Sequence, residues 1–231
     1  MERVLITGGA SGIGAACAAR AREDGYTPIV IDRIGGDIEA DLSDPEATAQ
    51  ALAKALESGP ITRLVNNVGV VRPATLEEQT FADLDATVQL NLRCAMQCAQ
   101  ALLPGMKEAG FGRIVNIASR TVLGKELRTA YAATKAGLVG MAKTWALELG
   151  PHGITANAIG PGPIRTELFE RANPPGDPRT QAIIDRVPVR RVGEPEDIAH
   201  AVSYLLDARS GFVTGQILYV CGGMTVGSAS L

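Results

Sequence analysis

Tyr131-Ala132-Ala133-Thr134-Lys135 sets a phenol and an ammonium four residues apart. In a helix that spacing puts both side chains on one face. A free tyrosine, with a pKa near ~10, is a poor acid or base at neutral pH, but an adjacent cation stabilises its phenolate and brings it toward the working range. Such a pair is suited to passing a proton to or from a substrate oxygen. The same spacing also arises where a tyrosine is simply buried and a lysine stem lies over it. A third polar group, Ser119, lies twelve residues earlier at the end of an apolar run. If that run is a parallel strand, its carboxyl end is where α/β folds hold their ligands.

A second group of residues suits phosphate rather than protons. Thr7-Gly8-Gly9-Ala10-Ser11-Gly12-Ile13-Gly14 links an apolar run to a helix-like stretch. Residues without Cβ allow a tight turn and let backbone amides approach a pyrophosphate at the positive end of a helix. A glycine-rich turn that binds nothing is the ordinary alternative. Asp32 ends the next apolar run, 18 residues after Gly14, close to the ~20 expected of a ribose-binding carboxylate. Its charge would repel a 2′-phosphate, which favours NAD over NADP, while Arg33 beside it is the residue that could reverse the preference.

These groups need a scaffold, and the chain alternates short Val/Ile/Leu runs with longer Ala-rich stretches of helical period. The expected strands are Arg3–Thr7, Pro28–Asp32, Leu64–Asn67, Arg113–Ser119, Thr155–Ile159 and Gln216–Val220. They are near-continuously apolar, as parallel strands covered on both faces must be. The expected helices are Gly12–Asp24, Pro45–Glu57, Phe81–Glu108, Ala130–Leu149 and Pro195–Leu206. Ser43, with Glu46 three residues on, is the expected cap of the second helix, and Gly150-Pro151 the stop of the fourth. This pattern predicts an α/β fold: a single doubly wound parallel sheet of the Rossmann type, spanning residues 1–231 as one domain. The eight residues between Asp32 and Asp41 fall short of the ~10–12 needed for a helical crossover. That helix is expected to be missing, leaving a loop over Arg33–Asp37 and a very short strand near Glu39.

Composition excludes several classes. The 26 glycines and 13 prolines show no three-residue period, and 46% hydrophobic residues supply a core, so collagen-like and low-complexity readings fail. The net charge of −3 gives no basic face for nucleic acid. No apolar stretch reaches the ~18 residues of a membrane span, and the start lacks a signal peptide's pattern, so a cytoplasmic protein is expected. Cys17, Cys94, Cys98 and Cys221 form no CxxC pair, and His152 and His200 are the only histidines; no metal site is expected.

Taken together, the glycine-rich turn, Asn66-Asn67-Val68-Gly69, Asn91 in Leu90-Asn91-Leu92, Ser119, Tyr131 with Lys135, and Pro161-Gly162-Pro163-Ile164-Arg165-Thr166 resemble, in order and over nearly the whole chain, the short-chain dehydrogenase/reductase family. The resemblance implies hydride transfer between a nicotinamide cofactor, NAD preferred, and a secondary alcohol or ketone. It implies Tyr131 as general acid/base, Ser119 as the group that orients and stabilises the substrate oxygen, and Lys135 as the holder of the nicotinamide ribose and the cation that lowers the Tyr131 pKa. Asn91 would position a water near Lys135. Cofactor contacts are implied at Gly8, Ser11, Gly12, Ile13, Gly14 and Asp32, at Asp41 and Leu42 beside the adenine, and at Asn67 and Gly69 beside the adenosine. Pro161, Gly162, Ile164 and Thr166 would lie on the nicotinamide side. Asn67 bonded only to backbone, Thr166 as a helix cap and Asp41 as a turn acid are the plain alternatives.

Two departures stand out. Cys221 occupies a place where the family often has aspartate, and Arg120 replaces a small or hydroxyl residue after Ser119. With Lys125 and Arg128, Arg120 could form a cationic rim for an acidic substrate, or all three could be solvated charges or subunit contacts. Thr166–Val192, rich in proline, resembles the family's substrate loop. A homotetramer across Phe81–Glu108 and Ala130–Leu149 is implied too, with Met96, Cys98, Leu102, Leu138, Met141 and Trp145 offering apolar surface, or serving as ordinary core. Two other readings are an NADPH-dependent 3-oxoacyl thioester reductase and a non-catalytic dinucleotide-binding regulatory protein.

Overall fold

The computed structural model describes residues 2–227; residues 1 and 228–231 of the expected domain lie outside them. The strands are β1 (Arg3–Thr7), β2 (Thr27–Asp32), β3 (Ile38–Glu39), β4 (Arg63–Asn66), β5 (Gly112–Ile117), β6 (Ile154–Pro161) and β7 (Ile217–Val220). They form one parallel sheet in the order β3-β2-β1-β4-β5-β6-β7, the expected doubly wound topology. The order reverses between β1 and β4, so the connections leave in opposite directions and open a crevice at the carboxyl ends of the strands.

The alternation within each strand divides the core. Leu5, Ile31 and Leu64 pack on one face with Leu52, Cys98 and Leu102 of α2 (Pro45–Leu56) and α4 (Cys94–Glu108). Val4, Ile6, Val30 and Val115 pack on the other with Cys17, Ile198 and Val202 of α1 (Gly12–Glu23) and α8 (Pro195–Leu206). Both layers are dry, which is why these strands carry apolar residues at successive positions.

The crossover from β2 to β3 has no helix. Gly36 shows why the loop closes so tightly: a Cβ there would lie 2.8 Å from the Asp32 backbone nitrogen and 2.9 Å from the Val30 oxygen. Asp37 fills part of the missing pairing, its carboxylate accepting from the Val30 N–H at 2.8 Å.

Two expectations are corrected. The Phe81–Glu108 helix divides into α3 (Phe81–Val88), a π-helical turn at Gln89–Arg93 and α4. The turn forms where tertiary contacts compete with the α ladder: the Asn91 side chain binds the Val70 backbone and Thr134, and Leu92 packs where a Gly137 Cβ would stand. The α2 cap is Asp44, whose carboxylate accepts from Glu46 and Ala47 N–H, while Ser43 donates to Asp41 instead. Thr166–Val192 contains α6 (Glu167–Ala172) and α7 (Pro178–Asp185), capped by Thr166 and Asp177.

At the amino end of the sheet, two arginines are buried. Arg63, 1% exposed, donates to the Leu206 carbonyl (3.0 Å), pairs with Glu2 (2.9 Å) and lies against the Tyr26 and Phe111 rings. Arg113, 4% exposed, donates to the carbonyls of Asp207, Gly112, Gly153 and Ala208 and also faces Phe111.

Candidate active site

β5 stops at Ile117, two residues before its expected end, and Ser119 becomes the cap of a short 3-10 turn, Arg120–Leu123, accepting from the Thr121 N–H at 3.2 Å. That placement sets the Ser119 hydroxyl close enough to the Tyr131 phenol to draw its pKa downward. Tyr131 and Lys135 lie on the first turns of α5 (Thr129–Leu149), with the Lys135 ammonium 5.6 Å from the Tyr131 ring centre.

Lys135 is 3% exposed and donates to the Ile117 carbonyl at 2.7 Å. Burial lowers its pKa to about 8. An ammonium has three donors, and the space beside it is kept by a glycine: a Cβ on Gly69 would come within 3.3 Å of Lys135 Nζ and 3.1 Å of Asn91 Oδ1. Asn91 itself is held firmly. Its Oδ1 accepts from Val70 N–H (2.8 Å), and its Nδ2 donates to the Val70 carbonyl (3.1 Å) and Thr134 Oγ1 (3.0 Å).

The expected lowering of the Tyr131 pKa is corrected. Burial pushes the phenol above the usual tyrosine value, against the opposing pull of the Ser119 hydrogen bond and the Arg128 charge. Lys135, bonded to a carbonyl and itself desolvated, does not overturn that balance. A tyrosine so placed is a neutral proton donor.

The glycine-rich turn leads into α1. A Cβ on Gly14 would lie 2.1 Å from the Gly8 carbonyl oxygen, so only glycine allows the chain to fold back here. Ser11 at the helix start makes no side-chain cap, and no acid occupies the first turn, whereas α2, α3, α6 and α7 are all capped by side chains. An uncapped helix start at the crevice leaves amide donors and a positive dipole end for an anion. Asp32 is aimed across the same turn, one oxygen accepting from Ala10 N–H (3.0 Å) and the other from Arg33 N–H (2.7 Å). These donors and acceptors fit a dinucleotide: backbone at Ser11, Gly12, Ile13 and Gly14 would hold the pyrophosphate, Asp32 the adenosine ribose, and Lys135 the second ribose.

Other expected contacts are brought to the crevice with their side chains already engaged. Asn67 donates to the Thr7 and Gly8 carbonyls at 3.0 and 2.8 Å, tying β1 to the end of β4. Asp41 is a turn acid held by Ser43, a bond that keeps its carboxylate below the usual range. Leu42 is 3% exposed in the core, which leaves only its backbone for an adenine. Thr166 caps α6, and Ile164, 6% exposed, packs against Gly193. Pro161 closes β6, and Gly162 abuts the Cys221 backbone.

Residues missed in the sequence support this arrangement. Thr134 holds Asn91, although it stands inside the Tyr131–Lys135 motif, and its signal was a hydroxyl in an otherwise alanine-lined turn. Arg191 makes a two-pronged pair with Asp197 (2.6 and 2.9 Å), whose carboxylate also caps α8 through Glu194 N–H. The Gly193 so fixed exchanges backbone bonds with Pro163 and Arg165 (3.0 and 2.8 Å), anchoring the Pro161–Thr166 segment. Arg120 directly follows Ser119, Arg128 stands three residues before Tyr131 with its charge reaching the phenol, and Lys125 lies exposed in the loop between them. Of the apolar residues expected to face a partner, Cys98, Leu102 and Leu138 are core, and Met96 is 41% exposed. Among the described residues no helix is long and apolar enough to cross a membrane, and no group of three or more His, Cys, Asp or Glu residues is gathered to hold a metal.

Residues 8–225 match a family model described as enoyl-(acyl carrier protein) reductase. The chain is 39% identical to the (2S)-[(R)-hydroxy(phenyl)methyl]succinyl-CoA dehydrogenase subunit BbsD of Thauera aromatica, over 96% of each chain. It is 34% identical to the 3-oxoacyl-[acyl-carrier-protein] reductase FabG of Thermotoga maritima, over 96% of this chain and 97% of the other. Among solved structures it is similar to a Beutenbergia cavernae protein described as a candidate NAD(P)-dependent gluconate 5-dehydrogenase, with NADP bound at low occupancy. That match has a TM-score of 0.91 and 30% identity, covering 98% of this chain and 97% of the other.

Proposed function

Because the chain belongs to the short-chain dehydrogenase/reductase family and is a nicotinamide-dependent oxidoreductase, we propose that it interconverts a secondary alcohol and a ketone, with NAD as the preferred cofactor. The observation that carries this reading is the meeting of Ser119, the Tyr131 phenol and the buried Lys135 ammonium beside the gap at Gly69. The bound nicotinamide supplies or takes up the hydride. In reduction, Tyr131 donates its proton to the substrate oxygen, and the Ser119 hydroxyl stabilises the charge that develops there. In oxidation the proton moves back. Lys135, with a pKa brought to about 8, can relay a proton near neutral pH, and Asn91, rigidly held, orients the water that connects it to solvent.

The NAD preference rests on the acids around the β2–β3 loop. Asp32 stands at the position expected for the ribose, Asp37 bonds from the loop back to β2 at Val30 N–H, and Glu39 accepts from Gly35 N–H in the loop. Three carboxylates against Arg33 oppose a 2′-phosphate. A second reading of the substrate, a 3-oxoacyl thioester, is favoured by the thioester chemistry in the names of the Thauera and Thermotoga relatives. A homotetramer belongs to the same proposal, with Phe81, Met96 and Leu147 exposed on the two long helical runs; light scattering tests it. The reaction is tested by following nicotinamide absorbance with both cofactors over secondary alcohols, ketones and 3-oxoacyl thioesters. Turnover by the native protein and its loss in Tyr131→Phe is the expected result. Dinucleotide binding without turnover of any of them overturns it.

A further inference from the structure

Among the described residues, three cations of the loop that joins Ser119 to Tyr131 have no carboxylate within 4.0 Å. Arg120 follows Ser119 directly and is half-buried. Arg128, also half-buried, precedes α5; its guanidinium donates to the adjacent Leu127 carbonyl (2.9 Å), and its charge reaches the Tyr131 phenol. Lys125 lies between them, its ammonium held below the usual lysine range by desolvation and by the like charges of Arg128 and Arg120.

Among the described residues, seven of the 22 basic residues have a carboxylate within 4.0 Å, all of them arginines outside this loop. Arg20, Arg165, Arg171, Arg191 and Arg209 each pair with a carboxylate at 3.0 Å or less. Among the described residues none of the three rim cations does so, although Glu126 sits in the same loop and the chain has 25 acids to 22 bases. The loop is held rather than loose: Ala74 N–H donates to the Leu127 carbonyl (3.3 Å), and Ala74 and Arg128 form a parallel bridge. Leu127 accepts a left-handed φ of 60° within it. Gathering like charges costs electrostatic energy that an anion would relieve.

We propose that Arg120, Lys125 and Arg128 bind an anionic group of the substrate, a carboxylate or a phosphate, and so hold its reacting carbon against Tyr131. This rests on the Ser119–Tyr131 pair being the reaction centre. The anion has two possible sources: a carboxylate on the reacting skeleton, or a phosphate of a thioester carrier.

The test is calorimetric titration of the full-length protein, saturated with NAD, with succinate, dimethyl succinate and coenzyme A. The native protein is expected to bind succinate or coenzyme A and not the neutral diester. Arg120→Gln with Lys125→Gln should weaken that binding by about tenfold to a hundredfold with NAD affinity and Tm unchanged. The charge-matched Arg22→Gln with Lys107→Gln should leave it intact. Binding of succinate points to the skeleton carboxylate and binding of coenzyme A to the carrier. Failure of the native protein to bind either, or equal loss in both double variants, overturns the proposal. Turnover separates the two readings. Anion binding lost only in the rim variant, without any alcohol or ketone turnover, keeps the rim and removes the reaction. Turnover of an acid and its methyl ester with equal KM, unchanged in the rim variant, keeps the reaction and removes the rim.

Discussion

Both ends of the sheet bury positive charge, and they bury it differently. At the amino end, Arg63 and Arg113 spread their donors over five backbone carbonyls and Glu2 and stack on Tyr26 and Phe111. A guanidinium so engaged stays charged at any ordinary pH and acts as a rivet between β4, β5 and the segment after α8. At the carboxyl end, Lys135 has the Ile117 carbonyl and a gap beside Gly69. Its charge is poorly compensated, and burial lowers its pKa to about 8, as the proton relay proposed above requires. A buried cation held by several carbonyls and aromatic rings stabilises; one held by a single carbonyl is open to chemistry.

The sharpest way to break this contrast is to exchange the losses. Lys135→Met should lower kcat by about 10²–10⁴-fold while the far-ultraviolet circular dichroism spectrum stays native; retained turnover would make Lys135 a packing residue. Arg63→Met should do the reverse. Denaturant unfolding is expected to show about 3 kcal/mol of lost stability, with KM and kcat close to native below the transition. A comparable loss of kcat at equal fold would merge the two ends.

The pH dependence of stability sharpens the same point. Lys135's folded pKa is about 8 against 10.5 unfolded, so the unfolded chain binds more protons between those values. Stability contributed by this site therefore rises with pH across pH 8 to 10.5. Relative to Lys135→Met, the native protein should gain up to about 3 kcal/mol over that interval. A flat lysine difference in unfolding curves would mean its ammonium is not desolvated. Smaller still, Asp32→Ala should cut the NAD-to-NADP ratio of kcat/KM by about tenfold; an unchanged ratio removes Asp32 from cofactor choice. At the start of α2, away from Lys135 and the buried arginines, Asp44→Ala should cost about 1 kcal/mol and leave kcat alone.

What could be read from the chain was what backbone geometry forces on residue type. The glycine turn, Asp32, the buried parallel strands and the absent β2–β3 helix follow from Cβ clashes, dry faces and loop length. The π turn was hidden because every residue in Phe81–Glu108 is compatible with an α-helix, and what shifts the hydrogen bonds is contact with Val70, Thr134 and Gly137. Asp44 and Ser43 are both good caps, and only the Asp41 turn, which takes Ser43, decides between them. The α7 start was present as Asp177-Pro178 but was masked by the prolines around it. The direction of the Tyr131 shift depends on how burial weighs against nearby charge, which spacing alone does not contain. Asn67, Thr166 and Asp41 illustrate the same limit: their side chains serve the local fold even where the backbone beside them faces the crevice.

The π turn at Gln89–Arg93 has a consequence for how such a site is gained or lost. A π turn accommodates one residue beyond the α-helical count while the helix on either side keeps its facing. Deleting one codon within it would let α3 and α4 join as a regular helix, with Cys94, Ala95, Cys98, Ala99, Leu102 and Met106 still against the sheet. Only the presentation of Asn91 would disappear. The scaffold and the placement of Asn91 are thus separable by a single in-frame event, and a descendant could lose the one while inheriting the other whole.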